Sequence, residues 1–346
     1  KVSNMSLDKN IPVLRFKGVS GAWDQRLLGS LCLIGDIDHR MPESKSTGIP
    51  YLMTGDFYGV NGLNFENVKL ISVEDYEQLS KKIKPEFGDI IFARYASVGA
   101  VRYVETEIRF LISYSCAILK TKNTSYGKYL FYFFQTIGAK DLIELDINTG
   151  SQRNIGIDSL KNLLVTLPKP EEQIKIGNYF QKLDNLINQH QQKHDKLSCI
   201  KKAMLGKMFP KQGETIPEIR FKGISGEWEE REFSDIATRV SSQHESTCLP
   251  CIEYEDIVSG KGRFNKDIHQ KKIFKTGLKF EVDDVLFGKL RPYLKNWFLA
   301  DFEGIAVGDF WVLRADNVAS TFLFNLIQTN KFELISNLSA GSKMPR

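Results

Sequence analysis

The sequence predicts an α+β protein: two similar mixed α/β domains joined by a long helix of coiled-coil type. Three observations carry this. Ile11-Pro-Val-Leu-Arg-Phe-Lys-Gly-Val-Ser-Gly-Ala-Trp23 returns as Ile216-Pro-Glu-Ile-Arg-Phe-Lys-Gly-Ile-Ser-Gly-Glu-Trp228, a displacement of 205 residues. A repeat so distant is a duplicated domain, because solenoid units recur every 20–50 residues or so. Short β-favouring runs alternate with helical stretches inside each copy. Between the copies, apolar residues recur at steps of three and four over a stretch far longer than an ordinary helix.

The elements follow in order. Residues 1–10 form a polar lead, and 11–168 form the first domain. Arg15 to Gly21 reads as an extended start with a turn, and Trp23 as a packing anchor. Leu27 to Ile37 fits a short helix or a strand. Thr47 to Asp56 corresponds to Thr247 to Asp256 in the second copy. Phe87 to Arg94 corresponds to Val282 to Lys289; its Ile90-Ile-Phe core predicts a buried strand. Phe110 to Leu119 alternates as another strand. Lys128 to Ile137 is read as a helix with Ser125 as cap and Gly138 as stop. Its counterpart is Phe322 to Thr329, and Thr149-Gly-Ser-Gln152 pairs with Ala340-Gly-Ser-Lys343.

The long helix is expected over 169–210, starting near Glu171. Its seam runs Ile176, Phe180, Leu183, Ile187, then through the polar stretch Gln189–His194 to Leu197 and Met204. Glu171 and Glu172 suit the positive end of the helix dipole, and Lys201, Lys202 and Lys207 suit the other. The second domain occupies 211–346. The helix equivalent to 169–210 would begin where the second copy stops, at Arg346, so a matching second helix is expected and is missing from the sequence.

Composition sets bounds. The 346 residues carry 42% hydrophobic side chains and a formal charge of +5, with a pI near 8.7. This allows sizeable cores and permits a polyanionic partner without requiring one. No apolar run approaches the roughly 18 residues that span a bilayer, and no signal peptide opens the sequence, so a cytoplasmic protein without membrane contact is expected. Five cysteines make no disulfide framework. Cys248-Leu-Pro-Cys251 has the spacing of a zinc or redox half-site, but the first copy has Gly48-Ile-Pro-Tyr51 there. His190 and His194 lie one turn apart without a third ligand nearby. No phosphate-binding G-x-x-x-x-G-K-[ST] loop, no Asn-Pro-Pro-Tyr/Phe and no G-x-S-x-G occur, and Glu43-Ser-Lys45 reads as a solvated loop. No active site, cofactor or metal is expected.

The paired Arg-Phe-Lys-Gly-x-Ser-Gly-x-Trp phrases, Gly88-Asp-Ile-Ile-Phe-Ala-Arg94, Thr149-Gly-Ser-Gln152 and Pro168-Lys-Pro-Glu-Glu-Gln173 occur in an order that resembles the specificity subunit of type I restriction–modification enzymes. The resemblance covers essentially the whole sequence. It implies two target-recognition domains that read a bipartite double-stranded DNA target, one half-site each. It implies spacer helices that set the gap and dock two methylation subunits, with motor-nuclease subunits joining that core. It also implies a non-catalytic subunit. The docking face would use Ile176, Phe180, Leu183, Ile187, Leu197 and Met204. Two other readings stay open: a fragment of a fused restriction–methyltransferase enzyme, and a coiled-coil adaptor without DNA readout.

Arginine reads guanine and amides read adenine through paired hydrogen bonds, while lysine, arginine and hydroxyls hold phosphates. The candidate DNA contacts in the first domain are Arg94 and Tyr95 after a strand end, Ser151, Gln152 and Arg153 after Gly150, and Tyr58 and Asn61 beside two glycines. In the second domain they are Lys289, Arg291 and Tyr293, with Ser342, Lys343 and Arg346.

Overall fold

The structure is a computed structural model that describes residues 11–122, 124–150, 153–245, 248–270 and 275–336. The chain divides into two compact units, Lys1–His190 and Gln191–Arg346. The division falls within the polar stretch that interrupts the apolar seam of the long helix.

The first unit is built on a four-stranded antiparallel sheet in the order Cys32–Gly35, Cys116–Thr121, Ile90–Ala93, Val101–Tyr103. The central strands are wholly apolar where they cross, so both faces must be covered. One face packs with Leu28, Leu31, Leu130 and Phe134, the other with Tyr51, Leu79, Phe110 and Ile112. A second sheet places Ile49–Leu52 between Lys69–Ile71 and a parallel neighbour, Leu111–Ile112.

The second unit repeats the first sheet strand for strand: Ala237–Val240, Phe310–Ala315, Val285–Gly288, Trp297–Leu299. Its second sheet again holds a parallel pair, Cys251–Ile252 with Gly304–Ala306, but on the other side of Gly304–Ala306 it adds Gly277–Phe280 and then Gln243–His244. The duplication extends to individual bonds. Asp89 Oδ2 accepts from the Glu86 amide at 2.8 Å and from Lys120 Nζ at 2.6 Å. Asp284 does the same with the Glu281 amide and Arg314, each at 2.8 Å. Trp23 meets Tyr129 edge-on, and Trp228 meets Phe322, the residue aligned with it. Arg15 donates to the Gly21 carbonyl and Arg220 to that of Gly226, closing the same loop in both phrases.

Several local expectations differ from the structure. Leu27 to Ile37 is neither one helix nor one strand: a single helical turn, Leu28–Leu31, lies between two strands. Phe110 to Leu119 breaks at Ser113, whose amide bonds the Leu52 carbonyl at 2.8 Å, so two strands in two sheets result. The helix Gly127–Phe133 is not capped by Ser125. Its Tyr126 amide donates to Gln173 Oε1 at 2.9 Å, a cap supplied by the long helix. Gly138 does not stop that helix either; it lies inside the next one, Ile137–Leu145, capped by Thr136.

The long helix runs Pro170–Lys207, 38 residues. Its first turns dock on the first unit through Gln173, Gly177, Phe180, Gln181 and Asp184. A Cβ at Gly177 would sit 2.9 Å from Lys128 Cβ and 3.0 Å from the Tyr129 amide nitrogen, so glycine is required for this approach. Buried Glu172 receives a two-pronged ion pair from Arg15 of the repeated phrase. Among the described residues no helix is long and apolar enough to cross a membrane.

Candidate nucleic-acid interface

In an antiparallel sheet, the loops that leave the same strand ends converge. Ile90–Ala93 and Cys116–Thr121 run oppositely, with Cys116 opposite Ala93. Arg94 therefore emerges beside Ser115, whose carbonyl accepts the Arg94 amide at 2.9 Å. The segment after Gly150 joins at this end. Tyr95 bridges Asn154, the Ile155 amide bonds the Arg94 carbonyl at 3.1 Å, and Asn148 bridges Asn154. The sequence candidates Arg94, Tyr95 and Arg153 are thus brought together.

Their roles differ. Arg94, a candidate DNA reader from the sequence, is only 6% exposed. Its Nη1 is ion-paired with Asp36, and its Nε donates to the Ile155 carbonyl at 3.0 Å. The same carboxylate receives His39 Nε2 at 2.9 Å and Lys82 Nζ at 3.4 Å. Burial pushes the Asp36 carboxyl up, but the His39 hydrogen bond and the charges of Arg94 and Lys82 outweigh it and hold it below the ordinary carboxylate range. Arg94 is a girder that ties the Ile155 backbone to the sheet. Sequence reasoning missed Asp36, because a lone acid after an apolar strand carries no signal of its partner 58 positions away. Tyr95, half-buried against the Arg94 guanidinium, and exposed Arg153, paired with Glu144, are the groups turned outward. Ser151 and Gln152 lie outside the described residues.

Tyr58 and Asn61 lie at the other end of the same sheet. Tyr103, opposite Ile90, bonds Asn61 twice: its amide to Oδ1 at 2.6 Å and its carbonyl from Nδ2 at 3.2 Å. Arg102 donates to the Gly59 and Gly62 carbonyls of the same hairpin. With both its oxygen and its nitrogen on the Tyr103 backbone, Asn61, a loop candidate from the sequence, pins the hairpin. Tyr58 is 62% exposed and lines a cleft of about 280 Å³ with Glu105, Gln181 and Asp184.

In the second unit the equivalent loop runs Lys289–Lys295. Lys289 is half-buried and paired with Asp309 at 3.2 Å. Arg291 and Lys295 both adopt positive φ, +54°, which non-glycine residues seldom take. The buried ring of Pro292 and the bond from the Leu290 amide to Tyr254 Oη, 3.2 Å, hold that shape. It presents Arg291 and Tyr293, the latter 53% exposed. Such backbone strain is typical of loops that position functional side chains. Ser342, Lys343 and Arg346 lie outside the described residues.

On the long helix, Ile176 and Phe180 pack on the first unit, Phe180 against Tyr132 at 5.3 Å between centroids. Leu183, Ile187, Leu197 and Met204 remain exposed, by 36–64%. Sequence periodicity found this seam but missed the polar half of the contact, where Tyr132 Oη donates to Asp184 at 2.7 Å.

Burial pushes the Cys32 and Cys116 thiols up to about 12, which keeps them protonated. Cys251 is buried and Cys248 exposed. Among the described residues no group of three His, Cys, Asp or Glu side chains could hold a metal ion.

Residues 21–198 match the type I restriction modification DNA specificity domain. The chain belongs to that family. Two relatives share the type I vocabulary. A protein of Methanocaldococcus jannaschii, provisionally named the type I restriction enzyme MjaX specificity subunit, is 29% identical over 171 residues, 46% of this chain and 40% of its own. The type I restriction enzyme EcoDI specificity subunit of Escherichia coli is 23% identical over 221 residues, 54% of this chain and 49% of its own. The chain thus spans less than half the length of either relative. The crystal structure of the type I restriction-modification system S subunit from M. genitalium has the same fold, with TM-score 0.54 at 14% identity over 92% of this chain and 80% of that one. The matched residues take in the sheets of the first unit and most of the helix that follows them.

Proposed function

We propose that this chain is the sequence-specific DNA-recognition subunit of a type I restriction–modification complex. Each unit reads one half of a bipartite double-stranded target. The observation that carries this reading is the duplicated sheet, which offers a loop of cationic and aromatic side chains at the same strand end in both copies. In the first unit Tyr95 and Arg153 would face DNA, with Ser151 and Gln152 beside them in sequence. In the second, Lys289, Arg291 and Tyr293 would do so. Similar scaffolds with different loops suit two different half-sites, because loops vary more than the elements that hold them. The domain boundaries of this reading are 11–168, 169–210 and 211–346.

The long helix would dock two methylation subunits through its exposed seam at Leu183, Ile187, Leu197 and Met204, and motor-nuclease subunits would join that assembly. The chain itself would carry out no catalytic step. The test is to co-express it with the methylation subunit of its own system and map modified bases across the host genome. A split motif with a fixed gap, lost when the gene is deleted, is the expected result. An assembled complex that methylates nothing would overturn the reading.

A further inference from the structure

The two units share a sheet but invert its chemistry at one point. The strand registers make the correspondence explicit. Cys32 pairs with Thr121 in the first unit as Ala237 pairs with Ala315 in the second. Counting along those strands, Arg239 stands where the first unit has buried Ile34, and Ser241 where it has Asp36. The amide of Arg94 bonds the Ser115 carbonyl at 2.9 Å, and that of Lys289 bonds the Asp309 carbonyl at 2.9 Å. Lys289 therefore occupies the Arg94 position and Asp309 that of Ser115. In the first unit one cation is buried there and neutralised by a carboxylate with side-chain exposure of only 6%. In the second unit the buried acid is gone and a second cation has arrived.

The result is a cleft of about 220 Å³ whose lining includes Arg239, Ser241, Gln243, Thr276 and Lys289. Among the described residues no carboxylate lines it. Asp309 lies 3.2 Å from Lys289, but both side chains are partly exposed, and such pairs hold little energy. The exposed Arg239 guanidinium lies 5.9 Å from the Trp311 ring and has no ion pair among the described residues. A guanidinium fork, an ammonium, two hydroxyls and an amide around one concavity are the donors that hold a phosphodiester oxygen. Gly308, at φ +100°, and Gly277 bring backbone rather than side chains to the rim.

We infer that this cleft of the second unit binds one backbone phosphate of duplex DNA and so sets the register in which its neighbouring loop meets the bases. The inference rests on the DNA-recognition reading above and deepens it. Among the described residues the first unit has no equivalent grip, because Asp36 and Arg94 close the same position from within.

The test compares the full chain with its Arg239→Gln and Ser241→Asp variants, binding a fluorescent random-sequence DNA duplex over a series of salt concentrations. Both positions are exposed, so both variants should melt as the parent does. Each loses an effective positive charge, the second by recreating the acid of the first unit. The slope of log affinity against log salt should fall by about one in each variant, the loss of about one phosphate contact. A parent that binds DNA while both variants keep its slope and affinity overturns this inference and leaves the DNA reading standing. A parent that binds no DNA overturns the reading, and the inference with it.

Discussion

Removing the Asp36 carboxylate should harm the first unit far more than breaking an ordinary surface ion pair. Exposed pairs contribute about 0.2–1 kcal/mol. The Asp36 and Arg94 side chains are 6% and 7% exposed, and the carboxylate also meets Lys82 and the His39 ring. Asp36→Ala leaves the buried Arg94 guanidinium with the Ile155 carbonyl and the Tyr95 ring as its partners among the described residues and no counter-charge, a defect that costs about 3–5 kcal/mol. Replacing both residues, as Asp36→Ala with Arg94→Met, removes the unpaired charge and should recover much of that loss. A chain of two units does not unfold in one step, so the assay is native-state hydrogen exchange at the amides of Ile90–Ala93. The pH dependence has a definite sign. The Asp36 carboxyl is held below its ordinary value, so its contribution is fully present above the unfolded carboxylate value of about 3.9 and is lost as pH falls through the depressed one. The gap between parent and Asp36→Asn should therefore narrow in acid. A loss under about 1 kcal/mol in Asp36→Ala, or strictly additive effects in the double variant, would refute the girder argument.

Three further outcomes are expected. Gly177→Val should lift the start of the long helix from the helix Gly127–Phe133, since the new Cβ would meet the Tyr129 backbone nitrogen at 3.0 Å; faster proteolysis near Tyr126 and Asn178 would report it, and unchanged cleavage would count against the tight approach. Asn61→Ala removes two bonds to Tyr103 and should loosen the hairpin by about 1–3 kcal/mol, read as faster exchange of the Tyr103 amide, while leaving DNA affinity intact if Asn61 is a pin. Ile187→Lys with Leu197→Lys should abolish co-purification of the methylation subunits without altering the melting of either unit; retained co-purification would move the docking face elsewhere on the chain.

Much of the architecture was legible because duplication writes it twice. The repeated phrase marked both units, and the strand Ile90–Ala93 and its counterpart followed from apolar runs that only a sheet covered on both faces can bury. The seam of the long helix was legible from periodicity alone, which depends on backbone geometry and not on partners. The candidate site was legible only as a place. Arg94 and Lys289 sit at equivalent strand ends, as their alignment implied, yet whether each faces inward or outward depends on residues that register brings alongside: Asp36 for one, Ser241 and Arg239 for the other. Asn61 and Arg94 carried the same surface signature in sequence, and long-range hydrogen bonds gave both structural duties. A one-dimensional pattern determines which segments must be buried, because burial follows from local apolar density. The fate of a polar side chain is decided by which donors and acceptors the tertiary fold delivers within hydrogen-bond reach, and for Arg94 that acceptor lay 58 residues away in the chain.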